Sequence, residues 1–392
     1  MQVSLRQLFF SNQAQTSPSP LALEIEHAKG CSLFTADKKR YLDLISGISV
    51  SNVGHCHPHV VDAIKKQAEK HMHVMVYGEF IQSPQVLLSK AIADFLPDKL
   101  KSVYLVNSGA EAIEGAMKLA KRYTGKPEIV YFKNAYHGST QGALSIIGDE
   151  FFKQSFRPLL PACRQLNFNV ESDLEQISSS TAAVIIEPIQ GEAGYIPAHQ
   201  KYLQQVRKRC DETGALLVFD EIQSGFGRTG KMFAFEHYQV VPDILVMAKG
   251  MGGGMPIGAF VSSLPIMASL SDNPVLGHIT TFGGHPVCAA ASLACIEVIA
   301  NENLLAKAEL IENFFREQLK HEAILEITGK GAMLALHFKN EEYNFSVIQK
   351  CLEKGLITDW FLFSSGSLRI SPPLVITDED MQQAAEIILS CL

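Results

Sequence analysis

Residues 216–249 hold two apolar runs that each end on an ionisable side chain, and this pattern constrains the fold more than any other. The first run, Leu216-Leu217-Val218-Phe219, breaks into Asp220-Glu221-Ile222-Gln223. The second, Ile244-Leu245-Val246-Met247-Ala248, ends at Lys249-Gly250. Between them lies the glycine-rich stretch Ser224-Gly225-Phe226-Gly227-Arg228-Thr229-Gly230. Both runs read as short strands, so an acid at one strand end and a lysine at the next would share one edge of a parallel sheet. In open α/β sheets, ligands bind outside that edge. Taken singly, such an Asp is a turn or cap residue and such a Lys is solvated. The rest of the chain decides between the readings.

Strand, helix and strand recur at crossover spacing, which predicts a mostly parallel sheet. The run 103–106 leads at once into Asn107-Ser108-Gly109-Ala110-Glu111 and a helix reaching residue 122. The free amides of that helix start make an anion site, unless Ser108 is simply its cap. The strand 129–132 leads to Tyr136-His137-Gly138-Ser139, where the aromatic ring can stack on a planar cofactor or belong to the core. The strand 183–186 ends in Glu187, with Glu192 following on a Gly-flanked loop. A helix over 202–213 closes at Gly214. Beyond Lys249, Gly250-Met251-Gly252-Gly253-Gly254-Met255-Pro256 reads as a tight turn, because Pro256 opposes the helix start that a dinucleotide loop needs. Residues 22–43 suggest an antiparallel ribbon, and residues 304–392 alternate helices with short strands as a separate α+β lobe.

A dense histidine segment, Gly54-His55-Cys56-His57-Pro58-His59, is followed by His71 and His73. It reads as a capped loop and helix rather than a metal centre, since no second Cys/His cluster has ligand spacing. The net charge of −7 supplies no basic field for nucleic acid. Eight cysteines without a Cys-x-x-Cys pair, and no secretory signal over residues 1–20, point to a reducing cytoplasm. The longest apolar segment, 288–300, is broken by Ser292 and Glu297, so no membrane span is expected.

An Asp and a Lys at neighbouring strand ends can hold the two ends of pyridoxal phosphate. The lysine forms an imine with its aldehyde, and the acid keeps its ring nitrogen protonated so that the ring drains electrons from a carbanion. Together these segments resemble the class III aminotransferases, pyridoxal-phosphate enzymes of fold type I. The likeness runs from residues 47–58 to residues 369–373. Its most specific parts are Asn107-Ser108-Gly109-Ala110-Glu111, the stretch from Asp220 to Gly230, and Ala248-Lys249-Gly250.

The resemblance implies an α/β large domain with a mostly parallel, seven-stranded-type sheet over residues 51–286. A smaller α+β domain would take residues 1–50 and 287–392. Lys249 matches the lysine that binds the cofactor and moves its substrate's proton, and Asp220 the acid at the ring nitrogen. Gln223 matches the residue near the ring hydroxyl, Tyr136 the stacked aromatic, and Ser108, Gly109 and Ala110 the phosphate cup; Glu187 joins these cofactor contacts. Thr281 matches a threonine that reaches the phosphate of the other subunit, which implies a homodimer with shared sites. Glu192 and Arg369 match a pair that opens for a substrate α-carboxylate.

Two positions depart from the family's pattern. Members acting on acetylornithine, ornithine or 4-aminobutyrate have Arg where Ser139 stands, and ornithine-specific members have Tyr where Ile48 stands. The activity implied is ping-pong transfer of an amino group from an amine donor to an oxo acid. An aminomutase or decarboxylase on the same scaffold, or a non-catalytic cofactor-binding regulator, is the alternative.

Overall fold

The computed structural model of the chain describes residues 3–76 and 78–392. Its centre is a sheet of Ser102–Val106 (β1), Glu128–Phe132 (β2), Cys163–Leu166 (β3), Thr181–Ile186 (β4), Leu216–Asp220 (β5), Ile244–Met247 (β6) and Gly258–Ser262 (β7). The strand order is β1-β7-β6-β5-β4-β2-β3. β7 runs antiparallel to both neighbours, and the other ladders are parallel. The mostly parallel sheet expected from the recurring strand-helix-strand order is therefore present.

Every residue of β2, β4, β5, β6 and β7 is buried. That explains their unbroken apolar runs, because helices cover both faces of the sheet. Successive side chains alternate between the faces. Val218 and Val246 pack with Ile113 and Ala116 of the helix Gly109–Thr124. Leu217, Phe219 and Leu245 face the other way, into the cluster that holds Leu203 and Val206 of the helix Gln200–Thr213. Each helix ends on a left-handed glycine, Gly125 and Gly214, where the missing Cβ permits the turn.

The N-terminal ribbon of Ile25–Lys29, Ser32–Thr35 and Arg40–Asp43 is antiparallel. Leu356–Ile357 extends it in parallel with Arg40–Asp43, so the two ends of the chain share one sheet. A second antiparallel sheet joins Glu326–Lys330, Met333–His337, Ser364–Ile370 and Trp360–Phe361. The helix Pro286–Asn301 is apolar nearly all round and packs on Pro58–Lys70 and Ser83–Asp94. The histidine segment caps and anchors a helix: His57 is the N-cap of Pro58–Lys70, and His55 bonds Asp43 at 2.7 Å.

Arg228 ties these parts together. Its buried guanidinium donates to Asn52 Oδ1 at 2.8 Å, Ser46 Oγ at 3.0 Å, the Pro372 carbonyl at 2.5 Å and the Ala332 carbonyl at 3.3 Å. These acceptors come from both ends of the chain and all are neutral. Burial accordingly pushes the Arg228 pKa down to about 10. Replacing Arg228 with Met should leave those acceptors dry and unpaired, at a cost on the order of 3 kcal/mol. Thermal unfolding should show a transition lowered by several degrees; a variant that melts with the parent would contradict this role.

Candidate active site

The strands deliver their chemistry at their carboxyl ends. β1 is followed by Ser108, β2 by Tyr136 and His137, β4 by Glu187, β5 ends on Asp220, and β6 is followed by Lys249. All of these line one cleft of about 410 Å³, together with Gly109, Ala110, Ser139, Gln223 and Val50. β5 and β6 are parallel neighbours, with Asp220 level with Val246, so the acid and the lysine emerge side by side. Sequence and structure agree here.

Asp220 is buried and held on both oxygens. Oδ2 pairs with His137 Nδ1 at 2.7 Å, and Oδ1 accepts from the Ile222 amide at 2.9 Å. Burial alone would depress the His137 pKa, but the hydrogen bond and charge of Asp220 outweigh it and raise the value. The imidazole therefore backs the carboxylate with a proton. Beside them, Glu187 accepts from the Gly191 amide at 2.9 Å and the Tyr136 amide at 3.2 Å. Burial pushes the Glu187 carboxyl up to about 8; the His137 charge opposes this and the Asp220 charge adds to it.

Lys249 sits in the left-handed region at φ 49°, a strained place for a residue with a Cβ. Burial lowers its pKa against the pull of Glu192, Asp220 and Glu187, and the Arg369 charge lowers it further. Desolvation thus favours the neutral amine, which is the nucleophilic and proton-accepting form.

On another wall, Ser108 caps the helix Gly109–Thr124, its Oγ accepting from the Glu111 amide at 3.2 Å. The turn lies hard against β7, because a Cβ on Gly258 would fall 2.5 Å from the Ser108 carbonyl oxygen. First-turn amides have no partner within the helix, so this wall presents donors to an anion. One cleft thus combines an anion-binding helix start, a histidine-backed carboxylate, a desolvated amine and the Tyr136 ring. That donor set fits pyridoxal phosphate, whose phosphate, ring nitrogen and aldehyde call for these partners.

Arg369 is almost fully buried at 1% exposure. Nη2 donates to Glu192 Oε2 at 2.9 Å, and Nη1 to Tyr195 Oη and Gln223 Oε1, each at 3.1 Å. Gln223 Nε2 in turn donates to Glu192 Oε1 at 3.2 Å. Burial would raise the Glu192 pKa, but the positive charges of Arg369 and Lys249 lower it. The expected pair is therefore closed, and Gln223 links it to the cleft.

Ser139 lines the cleft, exposed, with its Oγ 3.4 Å from Tyr136 Oη. No arginine or second lysine is among the described lining residues. Two bases downstream of Ser139 in sequence are engaged elsewhere. Lys153 Nζ donates to Tyr131 Oη at 2.8 Å, and Arg157 pairs with Glu150. Ile48 lies in a run of left-handed residues, Ser46, Gly47, Ile48 and Ser49, outside the cleft's lining. The Asp43 carboxylate steadies this turn by accepting from the amides of Ile45 and Ser46. Thr281 is exposed, also outside the lining, and its carbonyl accepts from His73 Nε2 at 2.9 Å. The structure adds His137, Tyr195 and Asp359 to the residues singled out from sequence. For His137 a polar side chain just past a strand end was a usable signal; nothing local marks the other two.

The sequence matches the family described as Aminotransferase class-III over residues 13–392. The acetylornithine aminotransferase of Methanocaldococcus jannaschii is 41% identical over 92% of this chain and 90% of its own length. That of Archaeoglobus fulgidus is 38% identical over 93% of this chain and 94% of its own. Among solved structures, the ornithine aminotransferase of Toxoplasma gondii superposes with a TM-score of 0.91 at 29% identity, covering 99% of this chain and 94% of its own. In that structure pyridoxal phosphate partly occupies the active site. A transaminase from the marine bacterium Virgibacillus gives a TM-score of 0.93 at 26% identity, covering 99% of this chain and 98% of its own.

Proposed function

The chain belongs to the class III aminotransferases, and on that premise we propose which residues carry its reaction and which substrates it takes. It is a pyridoxal-phosphate enzyme that moves an amino group from an amine donor to an oxo acid. When bound, the cofactor supplies the electron sink and carries the amino group between the half-reactions. In our reading, Lys249 Nζ holds the cofactor and then moves the proton at the substrate's α-carbon. Burial lowers its pKa toward the free amine, the form that suits that task. Asp220 holds a proton at the ring nitrogen, and His137 orients the carboxylate. The Ser108-Gly109-Ala110 turn binds the phosphate, Tyr136 flanks the ring, and Gln223 and Glu187 border it. The observation that carries this reading is the emergence of Asp220 and Lys249 from adjacent parallel strands into the cleft that holds the helix start.

Arg369 receives the α-carboxylate of an amino or oxo acid when Glu192 yields it. A five-carbon dicarboxylic acceptor needs a second cation, and the lining offers none at Ser139. We therefore read the donor as one with a terminal amine, and the preferred acceptor as a small oxo acid such as pyruvate.

A homodimer with shared sites follows from the same reading. Ile81 is 96% exposed and Phe80 54%, beside a groove that also takes in Val76, Val86 and Thr280; an apolar patch of this kind suits a second copy of the chain. Thr281 stands on the loop at that groove. The large domain would span residues 51–286 and the small one 1–50 with 287–392, the helix Pro286–Asn301 at their junction. Six cysteines buried as free thiols support a cytoplasmic setting. Among the described residues, no single helix is long and apolar enough to cross a membrane.

Lys249→Ala should fold, bind cofactor and turn over nothing. Borohydride should fix cofactor covalently to the parent chain and not to the variant. Mixed with an inactive Thr281→Val chain, it should regain activity in hybrid dimers. Wild-type turnover by Lys249→Ala would overturn the assignment, and absence of rescue would overturn the shared site.

Ser139→Arg tests the substrate reading. A charge-assisted hydrogen bond to a carboxylate is worth about 1.5–3 kcal/mol, or roughly one to two decades. The ratio of kcat/KM for 2-oxoglutarate over pyruvate should rise by about that factor. A parent that already prefers 2-oxoglutarate, with no change on adding the arginine, would mean that another residue holds the distal carboxylate.

A further inference from the structure

Two carboxylates grip Arg369, and they come from different parts of the fold. Glu192 belongs to the loop after β4 and takes Nη2. Asp359 takes Nε at 2.7 Å and adjoins the hairpin of Trp360–Phe361 and Ser364–Ile370, which carries Arg369 itself. The backbone couples the two residues as well. The Arg369 amide donates to the Asp359 carbonyl at 2.9 Å, and Thr358 Oγ1 donates to the Arg369 carbonyl at 2.6 Å. Phe361 lies under the guanidinium, with Cζ 4.2 Å from the ring centroid.

A displacement that parts Glu192 from Arg369 therefore leaves Asp359 attached. The Glu192 carboxylate is otherwise held by longer contacts, from Gln223 Nε2 at 3.2 Å and the Leu362 amide at 3.3 Å, while its backbone carbonyl accepts from the Phe363 amide at 3.0 Å. The Nη1 partners, Tyr195 Oη and Gln223 Oε1, are neutral and can be exchanged without separating an ion pair. Burial pushes the Asp359 carboxyl up to about 6, with Arg369 pulling against that.

We propose that Asp359 is the positioning residue of the carboxylate receptor, pinning Nε so that Nη1 and Nη2 stay aimed at the cleft once Glu192 leaves. This rests on the reading of Arg369 as the receptor for a substrate α-carboxylate. Pinned in this way, the guanidinium presents two parallel N–H groups, the fork that matches one monoanionic carboxylate end-on. Without Asp359, Glu192 is left as the carboxylate partner of the guanidinium, and an incoming carboxylate must displace a stronger rival.

The test compares Asp359→Ala, Asp359→Asn and Arg369→Gln holoenzymes with the parent, measuring kcat and KM for pyruvate and for 2-oxoglutarate. Asp359→Ala should raise KM for both acceptors by about tenfold, with kcat within about twofold of the parent. Asp359→Asn keeps an acceptor for Nε and should recover most of the loss. Asp359→Ser, whose hydroxyl is too short to reach Nε, repeats the measurement if the alanine variant does not fold. Unchanged KM in Asp359→Ala beside an impaired Arg369→Gln overturns this inference alone. Unchanged KM in Arg369→Gln removes the receptor assignment and this inference with it. A fall in kcat without a change in KM would make Asp359 a structural residue and overturn the positioning role.

Discussion

Burial of charge at the carboxyl edge of the central sheet is the constraint on which the rest of the structure depends. Asp220, Glu187 and His137 are buried there, and Lys249 is half-buried beside them. A buried ionisable group must be paired, hydrogen-bonded or neutralised. The site uses each of these. Asp220 is paired with His137, and Glu187 is capped by two backbone amides and drawn toward its neutral form. Lys249 is drawn toward the free amine. The same desolvation that makes the edge costly to fold thus moves the Glu187 carboxyl up and the Lys249 amine down.

A second buried charge cluster surrounds Arg369, and its arrangement differs. Two carboxylates and three neutral acceptors share one guanidinium. Buried ion pairs add little net stability, because desolvation offsets most of the Coulombic gain. A cluster with two carboxylates on one cation is better understood as exchangeable. Gln223 bridges it to the cleft that Asp220 and Lys249 line. Arg228, by contrast, has fixed neutral partners from both ends of the chain and serves the fold.

The sheet was legible in the sequence because its strands are covered on both faces and read as unbroken apolar runs. Lys249 and Asp220 were legible for a related reason: each interrupts such a run where a turn must begin. The helix start at Ser108 showed through its Ser-Gly signature. What could not be read were pairings between distant segments. His137 and Asp220 stand 83 residues apart, and Arg369 and Tyr195 174 apart. No periodicity reports such contacts. The left-handed turn over residues 46–49 is invisible for another reason: Ile48 and its neighbours adopt a conformation that their side chains disfavour, and the distant Arg228, together with Asp43 just before the turn, holds them there.

The central claim is that the Asp220 carboxylate, backed by His137, keeps the cofactor's ring nitrogen protonated. The most direct measurement is the single-turnover rate of Asp220→Asn holoenzyme mixed with a saturating amine donor. An amide keeps the shape but removes the charge. The rate should fall by at least about a hundredfold, equivalent to roughly 2.7 kcal/mol in the barrier, while the cofactor stays bound. A single-turnover rate equal to the parent's would mean that Asp220 is a turn residue and that the electron sink does not depend on it.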